Sequence, residues 1–73
     1  MLPDKLVYMA NQIGTFFRSQ GEDRAPAAIA EHIAKFWDPR MQQAIHAHIA
    51  KDEAASGLDP LVLQAIKSLP PVQ

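Results

Sequence analysis

The 73-residue sequence predicts a small all-α protein, a single domain built as an orthogonal array or bundle of about four short helices. Three observations predict it. Apolar residues recur every three or four positions through most of the chain, and no strand-like alternation competes with that period. Aspartate followed by proline occurs twice, at Asp38-Pro39 and Asp59-Pro60, as in a capped helix whose first residue is proline. Between the periodic segments lie breakers: Gly21, Ser56-Gly57 and Pro70-Pro71.

The first helix is predicted from about Asp4 to Gln20, with Pro3 or Asp4 at its start and Gly21 just past its end. At about 100° per residue, Leu6, Met9, Ala10, Ile13 and Phe17 share an inner face, with Phe16 on its flank and Tyr8 on the opposite side. A polar connector, Gly21 to Arg24, leads to a second helix that opens at Pro26 and runs to about Trp37. Its expected core stripe is Ile29, Ile33 and Phe36, and Glu31 and Lys35 form a favourable pair one turn apart on the outside. Trp37 lies to one flank, beside Ala30 and Ala34.

The stretch Ile33 to Met41, IAKFWDPRM, organises the rest. Pro39 cannot donate a backbone hydrogen bond and forces Asp38 out of the helical region, so one helix stops and another starts within two residues. The third helix is predicted from Pro39 to about Ala55. Met41, Ala44, Ile45, His48 and Ile49 face inward, and Asp52 falls one turn beyond His48, close enough to pair with it. The fourth helix is predicted to start at Asp59-Pro60, with Leu58 and Leu63 as a hydrophobic staple. Leu61, Val62, Ala65, Ile66 and Leu69 make its inner face. Pro70-Pro71 stops it, and residues 70–73 are expected to fray.

Composition narrows the function. Hydrophobic residues make up 48% of the chain, above the range of disordered sequences. A net charge of −1 and a pI near 6.2 lack the basic excess that binding to a phosphate backbone uses, so no nucleic-acid partner is expected. Without cysteine the chain has no disulfide, thiolate nucleophile or cysteine-held cluster. No window approaches the roughly 20 apolar residues of a membrane helix, and the N-terminus lacks a signal-peptide pattern, so no membrane is expected and the expected location is cytoplasmic.

No catalytic, cofactor-binding or metal-binding constellation emerges. His46 and His48 point about 200° apart on one helix and cannot share an ion within one chain. Ser19, Ser56 and Ser68 lie near helix ends outside any nucleophile-elbow pattern, and Gly14, Gly21 and Gly57 are too dispersed to cradle a phosphate. Arg40 is more informative. A cation in the first turn of a helix opposes the macrodipole, so Arg40 needs either an intrachain acid such as Asp38 or an acidic or carbonyl-rich surface on a partner. Arginine and tryptophan dominate binding hot spots, whereas the tryptophan of a small domain also serves as core; for Trp37 both roles stay open. The candidate partner-binding residues are Phe36, Trp37, Asp38, Pro39, Arg40 and Met41, helped by Tyr8 and Phe16.

Three segments carry a resemblance: YMANQIGTFF at Tyr8 to Phe17, HIAKFWDPRM at His32 to Met41 and GLDPLVLQAIKSL at Gly57 to Leu69. In order and spacing they resemble the delta subunit family of NAD-dependent formate dehydrogenases, over nearly the whole chain. MANQI followed by FF, then FWDPRM, is the specific part; the last helix alone would match many proteins. The sequence departs from the family pattern at Gln42-Gln43, where a further basic residue is expected, which makes the corner less electropositive. The resemblance implies a small noncatalytic subunit of a cytoplasmic molybdenum- or tungsten-containing complex. Other subunits would hold the pterin-bound metal, the iron–sulfur clusters, the flavin and the NAD site, with no cofactor in this chain. It would help assemble or stabilise the enzyme at the large catalytic subunit. A transient maturation chaperone for that subunit, a homo-oligomeric helical module and, last, a DNA-binding regulator are the alternatives.

Overall fold

Each helix carries proline in its first two positions, where the missing N–H would have had no intrahelical acceptor. In the computed structural model, which describes residues 2–69, four helices form: α1 (Pro3–Gln20), α2 (Ala25–Phe36), α3 (Pro39–Lys51) and α4 (Pro60–Ser68). Helix α1 touches the other three, and α4 packs chiefly on α2 and also on α1, so one core serves all four. The expected stop at Pro70-Pro71 and the frayed tail lie outside the described residues.

The core follows one geometric rule. Most of its buried residues stand in rows of four-residue spacing: Leu6, Ala10 and Gly14 on α1; Ala25, Ile29, Ile33 and Trp37 along α2 and the residue after it; Ile45 and Ile49 on α3; Val62 and Ile66 on α4, with Ala65 buried beside that last row. Such rows are the ridges that interdigitate when helices cross. They correct two expectations. Phe36, read as the end of the α2 stripe, is 71% exposed, because the row continues from Ile33 to Trp37. Met9, read as inner face of α1, is 38% exposed, because that helix turns its glycine toward α4.

Gly14 is buried beneath Val62, and a Cβ at position 14 would collide with the Val62 side chain. The missing side chain thus sets how deeply α4 settles onto α1. Asn11, one turn earlier, fixes where α4 begins. Its amide nitrogen donates to the Gly57 carbonyl at 3.0 Å, and its oxygen accepts from the Asp59 backbone N–H at 2.9 Å. Asp59 is the residue before α4, as expected, but its side chain makes no cap bond; Asn11 holds its backbone instead. Gly57 has φ of +82°, a conformation that favours glycine.

Helix α3 ends at Lys51, a turn earlier than expected. Asp52 adopts an extended conformation, and its carboxylate accepts from the Ala55 N–H at 3.2 Å, a local bond that competes with continuing the helix. The expected His48–Asp52 pair is therefore not made. His48 Nε2 donates instead to the Ser56 carbonyl at 2.9 Å, drawing the connector back over α3. Lys67 of α4 meets Glu53 of the same connector at 2.8 Å.

Replacing Gly14 by alanine sets a gain in helix propensity of up to about 1 kcal/mol against overpacking of about 1–3 kcal/mol. Val62 is fully buried and β-branched, so it cannot swing aside cheaply, and the clash should win. We expect Gly14→Ala to lower the melting temperature by roughly 5–10 °C. Circular dichroism melts check this, and adding Val62→Ala to the Gly14→Ala chain should recover part of the loss.

Candidate interaction surface

The four-residue rows leave large apolar side chains outside the core, and on α1 and α2 these gather on one side. The corner that joins α2 to α3 supplies one end of that surface. Trp37 leaves the helix in an extended conformation, Asp38 follows, and the Asp38 carboxylate accepts from the Met41 N–H at 2.9 Å, capping α3 with Pro39 in first position. Gln42 closes the junction from below: its side-chain amide donates to the Trp37 carbonyl at 2.8 Å, an acceptor left over at the end of α2. The Asp38 cap and Pro39 start are as the sequence predicts; the Gln42 brace is supplied by the fold.

A groove of about 410 Å³ opens beside it. Ile13, Trp37 and Met41 line it from the half-buried and buried side; Tyr8, Met9 and Phe36 form exposed walls; Gln12 and His32 add polar edges. The rings continue past the groove. His32 lies 4.7 Å from Phe36 and 6.0 Å from Phe17, and Phe17 meets Phe16 edge-on at 5.1 Å, all between ring centroids. A second hollow of about 260 Å³ flanks this aromatic row, with Glu31 and Lys35 on its wall. The Lys35 ammonium lies 2.9 Å from Glu31 and, by hydrogen bond and then by charge, holds that carboxyl below its ordinary pKa.

The candidate residues divide accordingly. Phe36, Tyr8 and Phe16 are exposed, at 71%, 65% and 58%. Met41 is half-buried and reaches the groove from the core side. Trp37 is only 5% exposed: most of the ring is core, and a margin lines the groove, so it serves as the floor and not as a projecting anchor. Asp38 and Pro39 build the corner without lining the groove. Arg40 is exposed and, among the described residues, forms no ion pair, including with Asp38. Sequence reasoning missed Met9, Gln12, Ile13 and His32. The signal for Met9 was present: Leu2, Met9 and Phe16 stand seven residues apart, a stripe of their own beside the core row.

Among the described residues no three His, Asp or Glu side chains converge to hold a metal ion, and no helix is long and apolar enough to cross a membrane. The fold and this surface define a small all-α protein with a closed core and an open, aromatic-walled groove. The family is shown by comparison with known proteins: the model of the NADH-dependent formate dehydrogenase delta subunit, FdsD, matches residues 5–66, and the chain belongs to that family. Comparison with curated proteins and with solved structures gives no match. The match spans all of the groove residues and the Asn11 and Gly14 contacts.

Burial separates the two neighbouring aromatics by what their loss should do. Trp37→Ala removes a packed core ring and should cost about 3–5 kcal/mol, a large part of the total stability of so small a domain. Phe36→Ala, at an exposed position, should change stability by no more than about 0.5 kcal/mol. Urea titrations of the two variants measure both.

Proposed function

We propose that the chain is a noncatalytic accessory subunit of a cytoplasmic, NAD-dependent, molybdenum- or tungsten-containing formate dehydrogenase, and that it stabilises the assembled enzyme by binding the large catalytic subunit. Family membership supports the enzyme; the groove supports the mode of action. A domain whose core is already closed exposes two aromatic rings at 65% and 71% and sets them around an apolar floor. Contiguous apolar surface of this kind marks a protein–protein contact. Aromatic side chains supply most of the energy at such contacts, because they bury a large rigid area at low entropic cost.

The effect on the enzyme is one of linkage. A subunit that binds only the assembled form stabilises it by RT ln(1 + [L]/Kd), about 2.7 kcal/mol at a hundredfold excess over Kd. On this reading the pterin-bound metal, clusters, flavin and nucleotide site belong to other subunits. This chain has no cysteine to hold a cluster and takes no part in the chemistry.

The double variant Tyr8→Ala/Phe36→Ala should melt within a few degrees of the unaltered chain and should fail to co-purify with the large subunit. The enzyme assembled in its presence should lose activity faster on warming. Full co-purification by a folded double variant would contradict the proposal. A mature enzyme that contains no copy of this chain, despite binding during assembly, would replace the permanent subunit with a maturation chaperone.

A further inference from the structure

The chain has no cysteine, so its sulfur is confined to three methionines. Met1 lies outside the described residues; the other two, Met9 on α1 and Met41 on α3, line the same groove. They differ in access. Met9 is 38% exposed, stands outside the core and also lines a second apolar hollow of about 330 Å³, with Asp4, Lys5 and Tyr8. Met41 is half-buried and packs against the core. Without a thiol in the chain, a thioether is the side chain that a peroxide oxidises most readily, and exposure sets the order. Among the described residues, oxidation therefore begins at Met9, on the wall of the groove.

Resting on the accessory-subunit reading, we propose that Met9 is a reversible oxidation site, and that its sulfoxide keeps the free chain from joining the enzyme. The sulfur takes one oxygen atom from a hydroperoxide and gives up a pair of electrons as the O–O bond breaks; the peroxide leaves as water or an alcohol. A sulfoxide reductase, drawing on a dithiol, returns the thioether and releases water. The modification replaces a flexible apolar side chain with a polar one. On the open chain the S=O dipole stays hydrated. Covering the groove strips that water, so the contact is weakened, while the fold, whose core does not include Met9, is kept. The free chain is the sensitive form, and assembly shields the same sulfur.

The test uses the full chain, hydrogen peroxide and purified formate dehydrogenase lacking this subunit. Peptide masses should show Met9 gaining oxygen well before Met41. The chain oxidised at Met9 should melt within a few degrees of the untreated one and bind the enzyme at least about tenfold more weakly. Methionine sulfoxide reductase should restore the binding. Each variant is compared with its own untreated sample: Met9→Leu should keep its affinity through the same treatment, and Met41→Leu should lose it as the unaltered chain does. The proposal is overturned if the chain oxidised at Met9 binds within about twofold of the untreated chain, if it unfolds, or if Met9→Leu stays as sensitive to peroxide. Failure of the untreated, unaltered chain to bind would overturn the accessory-subunit reading itself, so the two failures are distinct.

Discussion

Helix α4 seats against α1 because position 14 has no side chain. Val62 fills the space a Cβ would occupy, and the α1 row Leu6, Ala10 and Gly14 turns inward to meet it. With α1 in that rotation, Asn11 lies where its amide can take both Gly57 and Asp59, so the same contact that sets helix depth also sets where α4 starts. The rotation has a consequence on the flank of α1: Met9 is carried out of the core to stand beside the exposed Tyr8. Closing the core and exposing the groove are one event.

The α2–α3 corner completes the surface by a separate route. Pro39 ends α2 early enough that the core row passes to Trp37 and leaves Phe36 outside. Asp38 and Gln42 then satisfy the backbone groups that the sharp turn frees. The two neighbouring aromatics therefore part: Trp37 packs inward, and Phe36 stays largely exposed.

Much of this was legible in the sequence. The helix starts followed from proline and aspartate alone, and the corner at Asp38-Pro39 and its cap followed from local chemistry. What eluded the periodicity was rotation. A 3.6-residue period accepts i+3 and i+4 neighbours alike, and the choice between Met9 and Gly14, or between Phe36 and Trp37, belongs to the helix packed opposite. Gly14 read as a dispersed glycine because its reason is tertiary. The early end of α3 was missed for a different cause: Asp52 offered the chain a local turn, and His48 found the Ser56 carbonyl, an acceptor that exists only once that turn has formed.

The central claim is that this face of the molecule is covered when the enzyme is assembled. Oxidative footprinting, comparing the isolated chain with the purified enzyme complex, tests it residue by residue through side chains that report readily. The account predicts that Met9, Tyr8 and Phe36 lose most of their reactivity in the complex. Unchanged reactivity at all three, in a complex shown to contain the chain, would contradict it.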